Sequence, residues 1–206
     1  MIFVELGRHT SVRALDDDWV LVHELIHEAF PHLDDRHRWA MEGMATWVEP
    51  FIRLRSGVLA REALWARFVE RMPFGLPATG DAGLDHTATW GRTYWGGALF
   101  WMMAEVAVRE RTGREKGLRD AFRAIVAAGG TKQHMWTMEE TLAAGDAALG
   151  LDVLSAAWQA WRADPVAVDL PGLWARLGVA AGDAGVTLDD AAPDAALRLA
   201  IERQAW

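Results

Sequence analysis

Apolar positions recur along most of the chain at three- and four-residue intervals, the spacing that stacks side chains on one face of an α-helix. The first such segment runs from about Trp19 to Phe30. Val20, Leu21, Leu25 and Ile26 make it apolar around most of its surface, so burial is expected. Asp16, Asp17 and Asp18 precede it, placed to cap its N-terminus, and Pro31 stops it. A polar connection to Arg36 leads into a second helix from about His37 to Arg55, where Pro50 is expected to kink or split the segment. A third, Leu59 to Met72, carries Leu64, Trp65, Phe68 and Val69. A long apolar helix follows from about Thr93 to Arg111, then one from Glu115 to Ala128 that stops at Gly129-Gly130. Thr137-Met138-Glu139-Glu140 reads as a capping box opening a helix to about Leu149. Helices at Leu151–Arg162, at Leu173–Leu177 and at about Pro193–Gln204 complete the pattern.

Strand signals are few. Residues 2–5, Ile-Phe-Val-Glu, read as a short strand ending at Gly7, and Gly185-Val186-Thr187-Leu188 as another. A lone N-terminal strand needs a partner, which points either to a small sheet or to an N-terminal portion, even a whole domain, beyond this chain. Pro73 to Gly91 is the longest irregular stretch, and long loops in compact domains are often functional. The expectation is a mainly α (α+β) fold in one domain over residues 1–206, with a small N-terminal strand portion.

Composition narrows the chemistry. Lys and Arg number 21 against 29 Asp and Glu, a formal charge of −8 with no basic cluster, so nucleic acid and acidic membrane surfaces are poor partners. No run approaches the length of a transmembrane helix, and no signal peptide is visible, which leaves the compartment open. Cysteine is absent, which excludes disulfides and thiolate metal sites. The twelve tryptophans fall at helical spacings and read as core and groove-lining residues.

The pattern that stands out is His23-Glu24-Leu25-Ile26-His27. On a helix, His23 and His27 share a face and can hold one Zn2+, while Glu24 is placed to act as a base on water. Chance supplies such a match in a chain of this composition on the order of once in a hundred. A tetrahedral catalytic zinc takes three protein ligands, so one is missing. Glu42, on the following helix, can fold back beside the imidazoles, and Gly43 next to it permits close helix approach. Rival ligands are Glu28, His32, Asp34, Asp35 and His37, mostly on the turn. Glu49, two turns beyond Glu42, is placed either to orient a ligand imidazole or to pair with Arg53.

The two segments His23-Glu24-Leu25-Ile26-His27 and Trp39-Ala40-Met41-Glu42-Gly43 resemble the gluzincin metallopeptidases, nearest to the aminopeptidase N and glycyl aminopeptidase families. The resemblance spans roughly residues 23–128. It implies a gluzincin-like helical catalytic domain in which Glu42 is the third zinc ligand, and the aminopeptidase N pattern also carries a glutamate where Glu49 stands. These families carry Y-x-K-G ahead of a long apolar helix, with the Tyr hydroxyl stabilising an oxyanion. Tyr94-Trp95-Gly96-Gly97 stands in that place, with Gly96 where the Lys falls. The spacing between His27 and Glu42 is shorter than in aminopeptidase N, and no G-x-M-E-N segment is present to bind a free amine.

The implied activity is zinc-dependent hydrolysis of a peptide or protein substrate. His23, His27 and Glu42 hold one ion, Glu24 is the general base and Tyr94 the oxyanion donor. Two alternatives stay open: a zinc amidase acting on a non-peptide bond, and a non-catalytic metal-binding domain. His86 and Asp85 read as loop residues, with His86 also a candidate substrate contact. Trp90, Trp95 and Trp101 read as core residues or as the lining of a hydrophobic subsite.

Overall fold

The computed structural model of the chain describes residues 7–11, 18–182 and 185–204. Among them are nine α-helices and one two-stranded antiparallel sheet. The helices are α1 Val20–Glu28, α2 Arg38–Arg55, α3 Arg61–Arg71, α4 Gly97–Arg111, α5 Leu118–Ala127, α6 Met138–Leu149, α7 Val153–Trp161, α8 Leu170–Leu177 and α9 Ala195–Glu202. The sheet joins β1, Val179–Gly182, to β2, Gly185–Leu188, with Val179 opposite Leu188 and Gly182 opposite Gly185. The strand expected at residues 185–188 thus pairs with a segment that shows no alternation of its own. The strand expected at 2–5, and Asp16 and Asp17, lie outside the described residues.

α2 is the organising element and packs against α1, α3 and α4. It begins after a single 3₁₀ turn at Asp35–His37, whose first N–H groups are met by the Asp34 side chain accepting from Arg36 N. Pro50 does not split it, and one helix runs from Arg38 to Arg55. α2 and α4 cross in backbone contact. A β-carbon on Gly97 would stand 2.8 Å from the Cα of Gly43, and one on Gly43 would overlap the Gly97 backbone. The close approach that Gly43 permits is therefore to α4, not to the His-bearing helix.

The core flanks this crossing on two sides. Trp47 stacks on Phe68 at 5.2 Å between ring centroids and meets Phe51 at 4.8 Å, joining α2 to α3. Trp39 meets Phe100 at 4.9 Å, and Trp101 meets Phe122 at 5.1 Å, joining α2, α4 and α5. Trp101 also donates its Nε1–H to the carbonyl of Ala40 at 2.9 Å, so its polar edge is satisfied in the core. The capping box at α6 forms as expected: Thr137 Oγ1 accepts from Glu140 N at 3.1 Å, and Glu140 Oε2 accepts from Thr137 N at 2.9 Å. At the far end, Glu202 of α9 takes hydrogen bonds from Trp65, Arg61 and Arg198, which ties the chain's end to α3.

α1 departs from expectation. Only His23 and Ile26 are buried on it, and Leu21 and Leu25 are 44% and 52% exposed. Its apolar surface is wider than the strip that α2 covers, so the remainder lies at the surface. Substituting Gly43 or Gly97 by Ala is expected to destabilise the fold by roughly 3 kcal/mol, because neither backbone can yield to a methyl group at the crossing. Urea denaturation reads this out, and an unchanged midpoint in both variants would show that α2 and α4 are not in backbone contact.

Candidate metal centre

The site is assembled from three short stretches. Asp18 Oδ1 accepts from Val20 N at 2.7 Å and so meets the first N–H of α1, while Trp19 and not an aspartate holds the N-cap position. One turn on, His23 and His27 stand on the inner face, their rings 4.9 Å apart and nearly perpendicular. α2 brings Glu42 against them. Its Oε2 lies 3.2 Å from His23 Nε2 and 3.5 Å from His27 Nε2. These three donor atoms lie within 4.8 Å of one another, a grouping that can hold a metal ion.

The donor set fits such an ion. Ligands at bond lengths near 2.1 Å in a tetrahedron stand roughly 3.4 Å apart, and both nitrogen–oxygen separations here bracket that value. Oxygen and imidazole nitrogen also suit a borderline divalent metal in a chain without thiols. One feature runs the other way. His23 Nδ1 is buried and has no hydrogen-bond partner among the described residues, where a ligand imidazole usually donates to a carboxylate or carbonyl. Burial alone would raise the Glu42 carboxyl, but hydrogen bonds and positive charge from His23 and His27 outweigh it and hold it well below the usual carboxylate range. Glu42 is therefore ionised as a ligand must be.

A cavity of about 500 Å³ opens over these groups, and Glu24 and Tyr94 both line it. Glu24 is half-buried and has no hydrogen-bond partner among the described residues. Tyr94 sits in a π-helical turn, Gly91–Gly96, that leads directly into α4. Such turns widen the helix by one residue and are frequent at functional sites. The Tyr94 ring lies 6.3 Å from that of His23. Burial pushes its phenol above the ordinary 10.0, the Glu42 charge adds to the shift, and the Arg38 guanidinium opposes it. Gly97 permits this placement, since it lets α4 start where α2 passes.

The remaining residues singled out from the sequence fall into place as follows. Both carboxylate oxygens of Glu49 are bound to arginines, Oε1 to Arg53 at 3.3 Å and Oε2 to Arg67 at 2.7 Å, and Glu49 is fully buried. The expected contact from Glu49 to a ligand imidazole is not among its hydrogen bonds; the pairing with Arg53 is, as a buried one. Glu28 is held by Lys132 at 3.1 Å and Gln133 at 2.9 Å. His32 and Asp35 line the cavity, and His32 exchanges backbone hydrogen bonds with the segment around Met135. His37 and Trp39 share Asp85: His37 Nδ1 lies 2.9 Å from Asp85 Oδ1, and Trp39 Nε1 donates to the same oxygen at 2.8 Å. Burial would raise the Asp85 carboxyl, yet those hydrogen bonds hold it below its ordinary value.

Asp85 thereby pins the long loop to the start of α2, and Gly83 N and Leu84 N donate to carbonyls at the end of α7. The loop supplies Leu84, Asp85, Ala88 and Trp90 to a smaller neighbouring cavity and no residue to the one over His23, His27 and Glu42. His86 is exposed on it and lines neither of these two cavities. Trp95 and Trp101 are buried in the core, while Trp90 is exposed and lines a second cavity of about 280 Å³ next to the first.

Sequence reasoning missed Arg38, Trp19 and Lys132, which line the main cavity. Arg38 alone left a trace, since it lies four residues before Glu42 on the same helix face. Comparison of the chain with family models, with curated proteins and with solved structures returns no match. No described helix is long and apolar enough to cross a membrane.

Tyr94 is the only tyrosine, so an ultraviolet titration of the metal-free protein reads it alone. The midpoint is expected above 10.0, because burial favours the neutral phenol. The sign follows: the phenol's contribution to stability is complete below the unfolded value and is lost as pH rises through the higher folded one. A midpoint at or below 10.0, with circular dichroism showing the fold intact, would contradict the burial of this ring.

Proposed function

We propose that the protein is a zinc-dependent hydrolase that cleaves peptide bonds, with His23, His27 and Glu42 as the ligands. The observation that carries this is the convergence of those three donor atoms beneath a cavity that Glu24 and Tyr94 also line. The resemblance of the two segments to gluzincins supports the same reading, with the chain as a gluzincin-like catalytic domain.

Zinc, when bound there, supplies Lewis acidity toward a carbonyl and toward water. The protein's own groups do the rest. Glu24, adjacent to His23 and without a hydrogen-bond partner among the described residues, accepts the proton from the attacking water and passes it to the leaving amine. Tyr94, kept neutral by its burial, donates its hydroxyl hydrogen to the oxyanion as the carbonyl becomes tetrahedral.

The test joins metal analysis with turnover. Protein made in metal-replete medium is expected to carry one zinc per chain, and His27→Ala to lose it. Glu24→Gln is expected to keep the zinc and lose roughly 10³-fold in kcat on any peptide the wild type cleaves. Tyr94→Phe is expected to lose about 10²-fold in kcat with little change in KM. Absence of zinc from the wild type sinks the reading. Zinc-loaded protein that cleaves amides but no peptide favours the amidase alternative, and inertness toward both favours a non-catalytic metal-binding domain.

A further inference from the structure

Arg38 opens α2 one turn ahead of Glu42. Its Nε donates to Glu42 Oε1 over a long 3.4 Å, and its side chain is 62% exposed at the mouth of the cleft. The two cavities described above share Asp35, Arg38 and Tyr94. A ligand that reaches from the metal-side cavity into the one walled by Trp39, Leu84 and Trp90 therefore passes over the guanidinium.

The neighbouring cations are engaged elsewhere. Lys132 Nζ lies 3.1 Å from Glu28 Oε1, and Arg36 Nε lies 3.3 Å from Asp34 Oδ1. Arg38 reaches Glu42 through Nε, its guanidinium also lies within hydrogen-bonding reach of the Tyr94 hydroxyl, and it lines both cavities where they join. A guanidinium edge presents parallel donors that match the two oxygens of a carboxylate. Asp35 on the same rim works against a diffuse field that would attract any anion. The recognition is then a directed pair of hydrogen bonds and not bulk attraction.

We propose that the substrate carries a carboxylate, bound by Arg38 where the two cavities meet, with an adjoining apolar group over Trp39, Leu84 and Trp90. This rests on the hydrolase reading above. A chain terminus and an acidic side chain present the same group, and the two sources make different enzymes: the first trims from the C-terminal end, the second cuts beside an acidic residue.

The experiment is calorimetric titration of zinc-loaded Glu24→Gln protein, which is not expected to consume the probes. These are N-acetyl-Phe-Leu as free acid, the same dipeptide as its amide, and N-acetyl-Phe-Glu amide. One carboxylate-bearing probe is expected to bind about tenfold tighter than the neutral amide, since a charge-assisted pair contributes on that scale. Which of the two shows the gain identifies the source of the carboxylate. Adding Arg38→Met is expected to abolish the preference, Arg38→Lys to keep part of it, and added salt to shrink it because the guanidinium is exposed. Equal binding of all three probes overturns the proposal. So does a preference that survives Arg38→Met, which would mean the metal itself captures the carboxylate. The hydrolase reading fails separately, where the Arg38-dependent preference is present and the wild type cleaves none of the probes.

Discussion

The contact on which the rest depends is the crossing of α2 and α4 at Gly43 and Gly97, where two helix backbones meet without side chains between them. Ordinary helix pairs stand 8–10 Å apart because side chains fill the gap. Here the gap is closed, and both neighbours of the contact are site residues. Glu42 precedes Gly43 on one helix, and Tyr94 lies just ahead of Gly97 on the run into the other. The same crossing that makes the core therefore sets the carboxylate and the phenol on one side of the cleft. A methyl group at either glycine would push the acid and the hydroxyl apart along with the helices.

Electrostatics completes what that packing begins. The carboxylate of Glu42 stands within reach of both imidazoles, and their hydrogen bonds and charge outweigh its burial and favour the ionised acid. Two of the three donor separations, those from Glu42 Oε2 to each imidazole, already stand near the value a tetrahedral ion would need. Arg38 on the outer oxygen, Oε1, leaves Oε2 facing the rings.

Much of this was legible from residue order, for identifiable reasons. Helices with strong apolar spacing and clear stops, such as α3, α6 and α7, formed within a few residues of expectation, and the capping box at Thr137 formed as expected. The grouping of His23, His27 and Glu42 was legible because helix geometry relates i to i+4 and a short turn restricts where the next helix can go. Features that depend on the partner surface were not. The exposure of Leu21 and Leu25 follows from how little of α1 its neighbour covers, and no property of α1 itself records that. β1, Val-Ala-Ala-Gly, has no strand pattern and is extended because β2 pairs with it. The continuity of α2 through Pro50 likewise depends on its burial among α2's partners.

The position of His23 shows what surrounds its ring where its second nitrogen has no hydrogen-bond partner among the described residues. Trp19 stands edge-on to the ring at 5.3 Å, and His27 and Tyr94 close the other sides. Trp19 in turn lies beneath Arg67, whose guanidinium is 5.4 Å from the indole centroid and 5.8 Å from that of Trp95. Arg67 is held by Glu49. The influence of Glu49 on the ligand ring therefore runs through a cation and an indole, not through a direct hydrogen bond. Packing of this kind restrains the plane of the imidazole without supplying the hydrogen-bond acceptor that commonly backs a ligand ring. A ligand oriented by aromatic contacts alone binds its metal less tightly than one backed by a carboxylate. A metal ion held by this group would accordingly lean on the charge of Glu42, the one anionic donor of the three.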